Sequence, residues 1–184
     1  MKTTVETMNI TQLHRLEYEA SPDVVVSAPG CIRLIGEHTI GADGLMIAFP
    51  LDRRVSIAIS NRRDTSIRFF AADLNERKRT NLSNLKYKRE DRWANYIKAA
   101  LSAYSGEPSG GKGFNITVSG DIPQALGLGS AIALQCAAAK AASLSAGLDP
   151  GPADPAHKIP KPGSTYLPKK TAASQYLPTP SASA

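Results

Sequence analysis

Three β-rich runs, VVVSAPG at 24–30, VSIAI at 55–59 and SIRFF at 66–70, are bounded by Gly, Pro, Asn or Asp and predict strands. From Trp93 the pattern changes period. Trp93, Tyr96, Ile97, Ala100, Leu101 and Tyr104 recur at the i, i+3, i+4, i+7 spacing of an amphipathic helix. Next, FNITVSG at 114–120 alternates Phe114, Ile116 and Val118 with polar residues, as a half-buried strand requires. After the loop DIPQALGLG comes SAIALQCAAAKAASLSAG, dense in good helix formers, with Gly147 as the expected C-cap. Strands mixed with helices in this order predict an α+β fold. Past Leu148 the pattern stops: residues 149–184 hold 8 of the 13 prolines, and their only large apolar residues are Ile159, Tyr166, Leu167, Tyr176 and Leu177. Such a segment cannot bury a core, and its prolines remove backbone donors. The expected organisation is an N-terminal extension over 1–21, a folded domain over 22–148 and a disordered Pro/Ala/Ser-rich tail over 149–184.

Composition narrows the class. A chain of 184 residues with 42% hydrophobic content can form one ordinary domain. No run approaches the roughly 18 apolar residues of a membrane span, and MKTTVETMNITQLHRLEYE at the start has no apolar signal region. No membrane association is expected, and a cytoplasmic location is. Cys31 and Cys136 lie in unrelated segments without partners at metal-ligand spacing, so neither a disulfide framework nor a zinc site is indicated. The net charge of +6 fits either a polyanion partner or a phosphate-bearing substrate. Its basic clusters, Arg53-Arg54, Arg62-Arg63, Arg77-Lys78-Arg79 and Lys86 to Arg92, are interrupted by acids and lack interleaved stacking aromatics. They read as solvated surface, and no nucleic-acid partner is expected.

Three segments could carry chemistry. Gly127, Leu128, Gly129 and Ser130 lie between a predicted strand and an Ala-rich helix, where backbone N–H groups meet the positive end of the helix dipole. That arrangement can cradle phosphates, with Ser130 capping the helix or donating its hydroxyl; a capped turn with no ligand fits the same residues. GEPSGGKG at 106–113 has Walker A spacing through Lys112, but Gly113 stands where Ser or Thr should hold magnesium, and a strand follows rather than a helix. It reads as a loop. In APGCIRLIGEHT at 28–39, a strand-like run leads into Glu37, His38 and Thr39, groups able to hydrogen-bond a polyol and equally able to form an ordinary surface pair.

APGCIRLIGEHT resembles the galactokinase signature, usually A-P-G-R-[IV]-N-L-I-G-E-H-T-D-Y. WANYIKAAL at 93–101 and GFNITVSGDIP at 113–123 resemble further galactokinase elements, in the same order. The resemblance covers roughly residues 22–148 and points to galactokinase-like members of the GHMP kinases. It implies the GHMP kinase N-terminal fold, of the ribosomal protein S5 domain 2-like type. It also implies ATP and Mg²⁺ as cofactors and phosphoryl transfer to the anomeric hydroxyl of galactose. Carried over by residue, it implies sugar binding by Glu37, His38 and Thr39, nucleotide binding by Gly127, Leu128, Gly129 and Ser130, and a metal contact by Ser130.

Several positions depart from the pattern. Cys31 stands where the family has arginine, Arg33 where it has asparagine, Ile40 where it has aspartate and Gly41 where it has tyrosine. Ala131 and Ile132 occupy positions that are normally serine or small. No Asp or Glu follows Asp154, so the family's downstream catalytic aspartate has no counterpart, nor do its C-terminal domain and later glycine-rich motif. The expectation is a sugar kinase by ancestry that is inactive as this chain, with no catalytic residue assigned. The alternatives are a non-catalytic sugar or nucleotide-binding module and a remnant without function. One half of a two-domain fold should also expose an apolar face and self-associate through it.

Overall fold

The computed structural model describes residues 9–36, 47–102 and 112–148. In chain order these form α1 (Ile10–Tyr18), β1 (Val24–Ile35), β2 (Ile47–Asn61), β3 (Ser66–Ala71), β4 (Glu76–Asn81), a 3₁₀ turn at Arg89–Asp91, α2 (Ala94–Ser102), β5 (Phe114–Gly120) and α3 (Ser130–Ser145). The strands make one sheet in the order β1-β2-β5-β3-β4. Neighbours are antiparallel except β3 and β5, which run parallel. The chain crosses between those two through α2. This is the expected α+β architecture, built as one mixed sheet with helices on both faces.

Alternation sorts the sheet into two faces. Val55, Ile57 and Ile59 of β2, Ile67 and Phe69 of β3, and Phe114, Ile116 and Val118 of β5 enter one core with Ile97 and Ala100 of α2 and Ala133, Leu134, Ala137 and Ala141 of α3. The alanines keep α3 slim, which lets it contact β1, β2 and α2 together. Residues at the intervening positions meet α1 on the other face. There His14 is fully buried, with Nδ1 2.9 Å from Thr117 Oγ1 and Nε2 2.9 Å from Ser60 Oγ. A capping box starts α1: Gln12 N–H donates to Asn9 Oδ1 at 2.9 Å, and Asn9 N–H donates to Gln12 Oε1 at 3.0 Å.

Several elements differ from the sequence reading for identifiable reasons. The segment 1–21 contains α1, a helix with a single buried residue. The strand β4, ERKRTN, has no apolar pattern because it is a sheet edge, where charge is tolerated. Trp93 precedes α2 rather than starting it, in a turn where Arg92 has φ 45°, and Tyr104 falls outside the described residues. Gly147, the expected cap, lies one residue past the observed one. Ala146 is the C-cap, and Gly147, with φ 76°, donates to Leu144 O while Leu148 N–H donates to Ser143 O, a Schellman motif.

Beyond the core, β1 and β2 continue as a ribbon in which Ile32, Leu34, Ile35, Ile47 and Phe49 are 40–65% exposed. No helix among the described residues is long and apolar enough to cross a membrane.

Candidate functional site: the glycine loop and its cleft

The loop from Asp121 to Gly129 is fastened at both ends. At its start, Arg54 N–H donates to Asp121 Oδ1 at 2.7 Å, Asp121 N–H returns a bond to Arg54 O at 3.1 Å, and Arg53 Nη1 reaches Asp121 Oδ2 at 3.1 Å. The Arg54 amide, and then the Arg53 guanidinium, hold the Asp121 carboxyl below its ordinary pKa. At its far end the loop docks on β1 just where that strand loses register between Pro29 and Cys31. Cys31 N–H donates to Leu128 O at 3.0 Å. The fit is close: a Cβ added to Gly30 would lie 2.7 Å from Leu128 O, and one added to Gly129 would lie 3.0 Å from Cys31 Sγ. Gly129 also has φ 75°, a left-handed conformation that only glycine adopts readily.

Gly129, not Ser130, is the N-cap of α3, and no side chain caps the helix. This corrects the capping expected of Ser130. A capping oxygen must come from the residue before the first helical one, and Ser130 is already inside the first turn. Its hydroxyl is left for another partner. The first helical N–H groups lie outside the helix's own hydrogen-bond ladder, and no acidic residue occupies the first turn. The end of α3 therefore presents the positive end of its dipole with no acidic side chain in its own first turn.

Beside this helix end lies a cleft of about 160 Å³. Its walls are apolar, formed by Val55, Leu74, Trp93, Tyr96, Val118, Ile122 and Leu134, with Ser130 and Ala131 at one margin and Asp73 and Gln124 among its polar groups. Trp93 is held in place from two directions: its Nε1–H donates to Glu76 Oε2 at 2.9 Å, and its ring meets Phe69 edge-on at 6.3 Å. Asp73 accepts from Gly120 N–H at 2.6 Å and from Ser119 Oγ–H at 3.0 Å, which fixes its carboxylate at the cleft margin. Asn95 turns inward, accepting from Lys88 N–H and donating to the carbonyls of Lys88 and Arg92, so it shapes the segment leading to Trp93. Lys98 does the same from the next turn of α2, buried on Asp91 at 2.6 Å and on Lys86 O at 2.7 Å. Sequence reasoning assigned no site role to Asp73, and its pattern carries no signal for one. Trp93 and Tyr96 were visible only as an apolar helix face and as part of WANY.

The structure thus brings Leu128 and Gly129 of the glycine loop against Cys31 of the APGCIRLIGEHT segment, with Gly127 and Ser130 flanking them along the chain. Glu37, His38 and Thr39, with Ile40, lie outside the described residues. Cys31 abuts the glycine loop, and Arg33 lines a groove against Gly127.

The glycine loop and the APGCIRLIGEHT segment both lie within matches to known families. The galactokinase galactose-binding signature matches residues 12–61, and the GHMP kinases N terminal domain matches residues 95–159. The first match begins inside the segment read as an extension, and the second runs past 148. The galactokinase of Haemophilus influenzae (strain PittGG) is 31% identical over 133 residues, 72% of this chain and 35% of that protein. The galactokinase of Roseiflexus sp. (strain RS-1) is 32% identical over 136 residues, 73% of this chain and 34% of that protein. The chain thus spans about a third of the length of these relatives. Among solved structures, Lactococcus lactis galactokinase complexed with galactose superposes with a TM-score of 0.69 at 22% identity, covering 80% of this chain and 39% of that one. Methanococcus jannaschii mevalonate kinase gives 0.61 at 25% identity, covering 73% and 44%.

Proposed function

We propose that this chain, which belongs to the galactokinase-like GHMP kinases and carries their N-terminal domain, supplies the phosphate-binding and sugar-recognition segments of an ATP-dependent sugar kinase. The observation that carries the reading is a juxtaposition. The glycine loop is bonded to the β1 segment that leads toward Glu37, His38 and Thr39, and it opens on an apolar cleft at the positive end of α3. In this reading the cleft takes the base of ATP, with Trp93 as an aromatic wall. The backbone of Gly127, Leu128, Gly129 and Ser130 takes the phosphates. Glu37, His38 and Thr39 hold the hydroxyls of a galactose-like sugar, whose anomeric hydroxyl is the acceptor in the complete enzyme.

The residues present fit Mg²⁺ only as a companion of the nucleotide. Ser130 contributes one hydroxyl at the cleft margin, and no group of three His, Cys, Asp or Glu side chains among the described residues could hold an ion. Mg²⁺ is commonly held by substrate phosphates and few protein oxygens, and it would neutralise phosphate charge there. The protein's own contribution is the oriented backbone and the dry wall beside it. The location we propose is cytoplasmic.

The same reading makes the chain inactive alone. A sugar hydroxyl attacking a phosphoryl group needs a positioned base and concentrated cationic charge, and loss of the base alone costs about 10²–10⁴ in rate. No Asp or Glu follows Asp154, and Glu37 is assigned to the sugar. The test is ATP titration alongside a coupled ADP assay with galactose and Mg²⁺. Expected are millimolar ATP binding weakened by Gly129→Val, no galactose-dependent ADP production, and no rescue by Cys31→Arg with Ile40→Asp. No ATP binding at about 10 mM would remove the nucleotide reading and leave a sugar-binding module or a remnant. Steady galactose-dependent turnover abolished by Glu37→Gln would make the chain a minimal kinase.

A further inference from the structure

Among the described residues, Arg33 is a cation without a protein partner beside the glycine loop. It is the one basic residue of β1 and lies at the second of two register shifts, Pro29/Cys31 and Arg33/Ile35. Such irregularities re-aim side chains that a regular strand would direct elsewhere. Among the described residues its guanidinium makes no hydrogen bond or ion pair. With Ile32 it lines one side of a surface groove, and Leu126, Gly127 and Leu128 line the other. Gln124, within the same loop, and Ser130, just after it, line the apolar cleft. The loop backbone therefore runs between cleft and groove. A ligand whose flat apolar part fills the cleft and whose anionic part follows the loop reaches the groove at Arg33.

The chemistry of that end is specific. A guanidinium presents paired donors that match two oxygens of a phosphate, and it stays charged at every working pH. Cys31, on the same strand, abuts the loop at Gly129, and the first turn of α3 holds no acidic side chain.

We infer that Arg33 is a positioning residue that binds the outer, β- and γ-phosphates of the nucleotide from the β1 side of the glycine loop. The inference rests on the nucleotide reading above and assigns the far end of the same site. Titration of the full chain with ATP and with AMP, followed by NMR shifts or calorimetry, separates the two. A charge-assisted contact in an open groove gives a loss of about tenfold when removed. Arg33→Gln should therefore weaken ATP about tenfold and leave AMP unchanged, and Arg33→Lys should recover part of the loss. The side chain is half-buried and bonds no protein group among the described residues, so both variants should unfold close to the wild-type midpoint. Wild-type ATP affinity in Arg33→Gln, or equal losses for ATP and AMP, would overturn the assignment of Arg33 alone. Failure of the wild-type chain to bind either nucleotide at about 10 mM would instead take down the nucleotide reading, and this inference with it.

Discussion

Three alanine substitutions around the loop separate backbone strain from close contact. Gly127 has φ 73° and open space around it, Gly30 has a tight contact without a positive φ, and Gly129 has both. Gly127→Ala should cost only the left-handed penalty for a residue with a Cβ, about 1–2 kcal/mol. In Gly30→Ala the new methyl group would stand 2.7 Å from Leu128 O. A backbone atom cannot swing aside like a side chain, so loop and strand must separate. That strains or breaks the 3.0 Å Cys31–Leu128 bond, worth about 1 kcal/mol, and adds overpacking of about 1–3 kcal/mol. Gly129→Ala combines the left-handed penalty with a 3.0 Å approach to Cys31 Sγ, a softer obstacle, for about 2–4 kcal/mol. Urea unfolding of the three variants measures the order, and ATP titration of the folded fraction measures the loop. Gly30→Ala should weaken ATP binding even though residue 30 lies on another strand, because it displaces Leu128. Equal stability of Gly30→Ala and wild type, or displacement by Gly127→Ala alone, would refute the claim that β1 sets the loop's position.

Replacing Leu34 and Phe49 by Ser on the exposed ribbon should turn a self-associating chain into a monomer in sedimentation experiments; a monomeric wild type would remove that surface as the cause. His14, whose pKa burial lowers from 6.5 to about 4 against the opposing charge of Asp23, stays neutral in the folded chain while the unfolded chain takes up a proton below its ordinary value. Stability should therefore fall as pH drops from about 6.5 to about 4, by up to about 3 kcal/mol, and His14→Gln should flatten that part of the curve measured by urea titration. Asp91→Asn strands the buried Lys98 ammonium and should cost about 3–5 kcal/mol, whereas Asp91→Asn with Lys98→Met should recover much of it in the same assay.

Local pattern determined much of this protein. The helix at α3, the alternation of Phe114, Ile116 and Val118, and the strands at 24–30, 55–59 and 66–70 each carry their own period. The glycine loop carries its own backbone requirement, so all of these are legible residue by residue. Elements whose stability comes from elsewhere were not. The charged strand β4 exists because its backbone pairs with β3 from Ser66↔Asn81 to Ala71↔Glu76, and α1 is anchored by His14 reaching Thr117 and Ser60, 103 and 46 residues away. The candidate site divides the same way. Gly127, Leu128, Gly129 and Ser130 could be named from their order along the chain, but the contact of Gly30 with Leu128 O, the wall at Trp93, the carboxylate of Asp73 and the groove at Arg33 arise only when distant segments are packed together. A residue's own conformational preference is written in its neighbours along the chain, whereas a cleft belongs to surfaces that meet only after the sheet has paired.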